Sequence, residues 1–291
     1  MLQILETFSD PGNAAKPNED TFGHTENHAW VIDGATGVAD SELMPALSDA
    51  HPISDAKWLA ETASTELAAH AAEFGADLPG LMRHVIEALA QKFEAGRTRE
   101  LNGRYELPSA AMVLAHCAGG TLTVANFADC RLVLLSDDGE MTQFGDKHSD
   151  RSPASRARTA ALLDKAGEGG DPFALPEVMA YLRKQRSYQN REDGYWILGL
   201  DPAAVSHMRN WTMTLTKPVT GLLMSDGFAS LAYDYQQITP ADLVTMARDQ
   251  GLESVIRAVR KFEREDDPLK KIYPRFKGSD DATALLFRVA P

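Results

Sequence analysis

Four short acidic stretches, remote from one another in sequence, hold the side chains best suited to chemistry: Asn18-Glu19-Asp20, Asp33-Gly34, Ser225-Asp226-Gly227 and Gly278-Ser279-Asp280-Asp281. Each lies where an apolar, strand-like run meets a turn. Ala29-Trp30-Val31-Ile32 leads into Asp33, and Gly221-Leu222-Leu223-Met224 leads into Ser225. A strand end holds its side chain rigidly, and a following glycine lets the backbone come close to a ligand. Carboxylates presented this way from several strands can converge on a cation, and a donor set of oxygen alone suits Mg²⁺ or Mn²⁺ better than zinc or copper.

The elements that must position these acids fall into groups. Leu2 to Phe8 alternates as a strand, a polar loop from Ser9 to Pro17 follows, and His28 to Ile32 is a second strand. From Asp55 to about His70 an Ala-rich helical pattern follows an N-cap at Ser54 or Asp55, and Asp77-Leu78-Pro79 opens another helix. In that helix Leu81, Val85, Leu89 and Phe93 form a stripe at helical spacing, expected to face the core. Short β-type runs return at Ser109–His116, Thr121–Asn126 and Arg131–Leu135, and Asp137-Asp138-Gly139 turns into Glu140–Phe144. Together these are expected to form one antiparallel meander. After strands at Trp211–Leu215 and Thr220–Met224 come two helices. One opens on the capping box Thr239-Pro240-Ala241-Asp242, and the other runs from Leu252 to about Phe262; a last strand spans Ala284 to Val289. Strands that cluster rather than alternate with helices indicate α+β and disfavour a doubly wound sheet. The stretch at about 150–193, rich in Arg and Gly, is expected to be a flap-like insertion in a single domain spanning 1–291.

Composition narrows the function. The chain has 291 residues, 44% hydrophobic and 24% charged, enough for a core that needs no disulfide or structural zinc. A net charge of −13 argues against a nucleic-acid partner, which requires concentrated Lys and Arg. Cys117 and Cys130 both lie in apolar runs without CxxC spacing and are expected to be buried small hydrophobes. The first residues lack a basic segment and a long apolar core, and no run reaches the length of a membrane span, so a cytoplasmic location is expected. No Gly-rich phosphate loop of the Walker type occurs.

Taken in order with their flanks, the acidic stretches resemble the metal-dependent protein phosphatases of the PPM, or type 2C, family. The resemblance runs from Asn18 to Val289. Ser109-Ala110-Ala111 stands where that family usually has Gly-Ser-Thr, Asn126-Phe127-Ala128-Asp129-Cys130-Arg131 is similar to its Asn-x-Gly-Asp-Ser-Arg turn, and Asp146-Lys147-His148-Ser149 to its Asp-His-Ser segment. The resemblance implies a four-layer αββα sandwich, with two antiparallel sheets flanked by antiparallel helix pairs. It also implies two Mn²⁺ or Mg²⁺ ions, with a third in many members. Asp33 would bridge the pair and the Gly34 carbonyl would add a ligand. Asp226 and Asp280 would complete the shell, Asp20 and Glu19 would contribute directly or through water, and Asp129 would help hold the third ion. Asp281, in the place of the usual Asn, would support the ligands without being one. Such an ion pair lowers the pKa of a water and neutralises phosphoryl oxygens, so no Ser or Cys nucleophile is required.

The sequence departs from the family pattern in two places. Ala15 replaces the Arg that grips the substrate phosphate in many members, and Lys16 beside it is the candidate for that role, as a point charge without the bidentate fork. The alternative for Lys16 is a solvated loop residue. Ala35 stands where eukaryotic members often have a His proposed as general acid; His24, His28 and His148 lie in the right neighbourhoods, with packing or surface roles as the alternative. The reading is a phosphatase in which Asp33, Asp226 and Lys16 serve catalysis on a phosphorylated protein. A small phosphorylated molecule as substrate, or an inactive binding or regulatory member of the fold, are the other readings.

Overall fold

Alternation along the strands builds two sheets with three hydrophobic layers between and outside them. In β3 (His28–Gly34), Trp30 and Ile32 join the core under one pair of helices, whereas Ala29 and Val31 face the other sheet. The computed structural model describes residues 1–44, 53–145, 153–167 and 170–291. One sheet has five antiparallel strands in the order β2 (Asp20–His24), β3, β4 (Ala110–Ala118), β5 (Thr121–Phe127) and β8 (Arg209–Thr214). The other has the order β1 (Gln3–Asp10), β10 (Ala282–Val289), β9 (Val219–Met224), β6 (Arg131–Ser136) and β7 (Met141–Phe144).

Helices close both outer faces. The antiparallel pair α1 (Asp55–Phe74) and α2 (Leu78–Gly96) buries Leu59, Leu67, Leu81, Val85, Leu89 and Phe93 against Trp30, Ile32, Met112 and Leu114. The expected caps are present: Ser54 accepts from the Lys57 amide and Asp77 from that of Gly80. On the opposite face α5 (Asp226–Tyr233), α6 (Pro240–Gln250) and α7 (Leu252–Lys261) cover Val133, Leu222, Met224, Ala284 and Leu286. Thr239 and Asp242 make the expected capping box. The α+β four-layer sandwich is therefore the architecture of the chain. Both cysteines are free and buried, and among the described residues no helix is long and apolar enough to cross a membrane.

The structure corrects the expected meander. β4–β5 and β6–β7 are hairpins in different sheets, and the chain crosses between them at Ala128, whose φ of 57° lies in the left-handed region. Strand periodicity is the same in either sheet, so it does not report this crossing. Two helices also lack the signals used to find helices in the sequence. α5 begins on the Ser-Asp-Gly turn itself, and α3 (Pro153–Ala166) has no buried residue. The shorter α4 (Pro176–Arg186) lies where helix is expected. Residues 146–149 and Arg151 are outside the described residues.

A large side chain of one strand lies over its neighbour at Gly221. It pairs with Phe287 across β9 and β10, and a β-carbon there would meet the Phe287 ring at 2.1 Å. Phe287 is fully buried in the layer between the sheets. Gly221→Val is expected to cost about 1–3 kcal/mol through overpacking, read as a lower urea midpoint at unchanged slope.

Candidate functional site

Strand register and loop hydrogen bonds assemble the acidic residues from both sheets. Asp20 opens β2 directly opposite Asp33 near the end of β3, so two carboxylates stand side by side. The Gly34 amide donates to the Glu19 carbonyl at 3.2 Å, and a β-carbon on Gly34 would lie 2.6 Å from that oxygen, so only glycine fits. Asp226 is the first residue of α5, after β9, and Asp280 precedes β10 in the same sheet. Gly227 allows this meeting, because a side chain there would run into the Asp281 carbonyl at 2.0 Å.

The charges of these groups act on one another. Burial first, then Asp281, Asp280 and Asp226, push the Asp20 carboxyl up to about 8, with Ser225 easing its charge in the opposite direction. Both Asp20 carboxylate oxygens are buried without a hydrogen-bond partner of good geometry among the described residues. Asp33 is also raised well above the usual carboxylate range, by burial and then by Asp20, Asp226, Asp129 and Asp280. Burial likewise raises Asp280, against the pull of Lys277. Glu19, Asp20, Asp33, Gly34, Asp226 and Asp280 thus come together, with Asp129 within electrostatic reach of Asp33.

Neighbours orient the cluster. Glu19 accepts from the hydroxyls of Thr36 and, at 2.5 Å, Ser54. The Asp281 carboxylate accepts from the amides of Glu19 at 2.7 Å and Gly12 at 3.2 Å, so it joins the first and last acidic stretches through backbone. Arg260, paired with Asp10 and Glu263, donates to the Asp280 carbonyl at 2.7 Å. The Asn126 side chain donates to the carbonyls of Met112 and Cys130, shaping the turn that carries Asp129.

Two basic residues were not evident from the sequence. Arg186, at the end of α4, is enclosed and donates to the Ala35 and Thr36 carbonyls and to Ser109 Oγ. It fixes the loop after Asp33, and through Thr36 it supports Glu19. Lys277 places its ammonium 2.6 Å from Asp280 Oδ1. Burial opposes its charge, but Asp280, then Glu19 and Asp33, outweigh that and raise its pKa above the usual lysine value. Its position depends on the loop after α7, where Asp267 accepts from the amides of Lys271, Ile272 and Tyr273 and pairs with Arg275. An isolated Arg or Lys in a polar loop carries no local signal of such a partner.

A cavity of about 1020 Å³ opens over the cluster. Glu19, Asp280 and Asp281 line it, as do Lys16 and Lys277, while Phe173 from the segment after α3 meets Phe276 across it at 6.1 Å. Lys16 itself is exposed. The histidines are elsewhere. His24 ends β2 at the opposite end from Asp20, and His28 at the start of β3 bonds the Gly75 carbonyl and packs on His116. His28 and Asp33 are five steps apart along the strand, roughly 16 Å. His148 is outside the described residues.

Comparison with known proteins agrees with this architecture. No protein-family model matches the sequence, and no curated protein matches it significantly. Among solved structures, the Mycobacterium tuberculosis serine/threonine phosphatase PstP/Ppp is similar over 100% of both chains, with 18% identity and a TM-score of 0.58. The PstP catalytic domain in complex with two manganese ions is similar over 100% of both chains, at 19% identity and a TM-score of 0.55. Stp1 from Staphylococcus aureus is similar over 100% of this chain and 96% of its own, at 15% identity and 0.52. The fold of this chain is that of the PPM-type serine/threonine phosphatases.

The raised carboxyls set a pH dependence. In the metal-free protein Asp20 keeps a proton up to about pH 8, whereas in the unfolded chain it loses it near the ordinary value of 3.8. The folded state then binds more protons across that window, so stability falls as pH rises from about 4 to about 8. Asp33 and Asp280 act in the same direction. Urea unfolding in chelator at pH 5, 7 and 9 is expected to show a declining midpoint; a flat profile would mean that the acids are not held close together.

Proposed function

We propose that the protein is a divalent-metal-dependent phosphomonoesterase acting on phosphoserine and phosphothreonine in proteins. The observation that carries this reading is the convergence of carboxylates around Asp20 and Asp33, both raised by burial and by neighbouring acids, with both Asp20 oxygens lacking a hydrogen-bond partner of good geometry among the described residues. Uncompensated carboxylates in a low dielectric either stay protonated or take up cations. The donors are all oxygen, and the two unsatisfied oxygens of Asp20 face this cluster, so the residues fit Mg²⁺ or Mn²⁺. The manganese ions of the similar PstP structure support the same assignment.

In this reading Asp33, the Gly34 carbonyl, Asp226 and Asp280 would hold two ions, Asp20 and Glu19 would contribute directly or through water, and Asp129 would help hold a third. When bound, the ions supply charge neutralisation and an acidified water for attack on phosphorus. The chain's own part is to hold the carboxylates rigid through Asp281, Arg260 and Arg186. Lys16, at the rim of the cavity, is the candidate for meeting the substrate phosphate. The cavity volume and its Phe173–Phe276 wall also suit a small phosphorylated molecule, which keeps that substrate class as the second reading. An inactive binding role is disfavoured, because it predicts missing aspartates and the sequence keeps Asp20, Asp33, Asp226 and Asp280.

Hydrolysis of p-nitrophenyl phosphate with Mn²⁺, with Mg²⁺ and with chelator tests the chemistry. Activity is expected only with metal, and Asp33→Asn or Asp226→Asn is expected to lower kcat by about 100-fold or more, as for loss of a charged group that stabilises the transition state. Metal-independent turnover, or full activity in Asp226→Asn, overturns the reading. Phosphopeptides and phosphorylated metabolites compared by kcat/KM then separate the two substrate classes. A further outcome concerns Lys277, whose ammonium competes with a cation for Asp280. Lys277→Gln is expected to bind Mn²⁺ on the order of tenfold more tightly by calorimetry, and weaker binding would instead assign it a supporting role.

A further inference from the structure

A second group of metal-binding side chains lies on the outer helical layer, separate from the acidic cluster. Glu66 and His70 are one turn apart on α1, at the i and i+4 spacing that puts both on one helix face. His84 projects from α2, which packs against α1. His70 Nε2 lies 3.7 Å from Glu66 Oε2, and the His70 and His84 rings meet nearly edge to face with centroids 4.3 Å apart. One donor atom from each of the three residues falls within 4.8 Å of the others.

A tetrahedral ion with bonds of roughly 2.0–2.1 Å needs its donors about 3.4 Å apart. Rotation of His70, which is about one-third exposed, closes that difference towards Glu66 and His84. Two imidazoles and one carboxylate form a borderline donor set that selects Zn²⁺ and its neighbours, Co²⁺, Ni²⁺ and Cu²⁺, rather than Mg²⁺. The surroundings suit ligation as well. Lys92 bonds Glu66 Oε1 and leaves Oε2 turned towards His70, while Glu73 Oε2 lies 3.8 Å from His70 Nδ1. An outer carboxylate on the second imidazole nitrogen is the arrangement that orients metal-bound histidines.

We propose that Glu66, His70 and His84 form a zinc-class metal site that clamps α1 to α2, with the fourth position left to water. Glu66 and His70 lie 12 and 16 residues along the helix from Ser54, a rise of about 18–24 Å from the residue whose hydroxyl bonds Glu19 of the acidic cluster. The proposal does not rest on phosphatase activity, since its ligands belong to neither the cluster nor the cavity.

The test is titration of the full chain with Zn²⁺ in excess Mg²⁺, followed by calorimetry and by imidazole ¹H–¹⁵N NMR. Wild-type protein is expected to bind one Zn²⁺ that shifts the His70 and His84 resonances. His84→Gln is expected to weaken that binding by about 100-fold, at the upper end of what even supporting partners of metal ligands contribute. His70→Gln serves as the independent second variant, and unchanged helical circular dichroism verifies folding in both. Unshifted His70 and His84 resonances, or equal Zn²⁺ affinity in wild type and both variants, would overturn the assignment and leave the group as an ion pair beside two rings packed edge to face.

Discussion

Mutual repulsion among carboxylates crowded together with little solvent to screen them is the constraint on which the rest of this structure depends. Asp20, Asp33 and Asp280 are each raised by burial and by neighbouring acids, so the fold must hold together what electrostatics drives apart. The means is backbone rigidity. Asp20 and Asp33 are fixed by strand register, and Asp226 stands between a central strand and its helix. Asp281 uses its own carboxylate to accept amides, which ties the first and last acidic stretches together. The three apolar layers make that rigidity possible, because they leave neither sheet an open face on which to move.

Basic residues divide between support and solvent in a way that follows from reach. Arg186 satisfies three uncharged oxygens and so gives the loop after Asp33 its shape without neutralising any acid. Arg260 binds the carbonyl of Asp280 and leaves its carboxylate free for Lys277. Lys16, in contrast, stays exposed at the cavity rim, where a flexible stem lets a charge follow a ligand.

Much of this was legible in the sequence, for physical reasons. Apolar runs that stop at Asp-Gly or Ser-Asp-Gly are a local signal, and they located the ends of β3 and β9 beside Asp33 and Asp226. The stripe of Leu81, Val85, Leu89 and Phe93 and the Thr239 capping box are likewise local signals, and both hold. What was not legible depends on partners distant in the chain. Nothing near Ala128 says that the chain changes sheets there, and nothing near Arg186 or Lys277 names Ala35 or Asp280. The helix that starts at Asp226 was hidden because its first residues double as a turn and a site.

The bond from the Glu19 amide to Asp281 spans 262 positions of sequence, and β1 pairs directly with β10. During synthesis the strand carrying Phe8 and Ser9 therefore waits, without its neighbour, until Ala282–Val289 has been made. A nascent chain holding Glu19, Asp20 and Asp33 has the early acids but neither Asp280 nor the amide acceptor of Asp281. Long-range closure of this kind is slow and is reached late in folding. The order of translation thus acts as a timer: the acidic centre takes its final geometry only once the β1–β10 seam is closed, and partly made chains lack the assembled carboxylates.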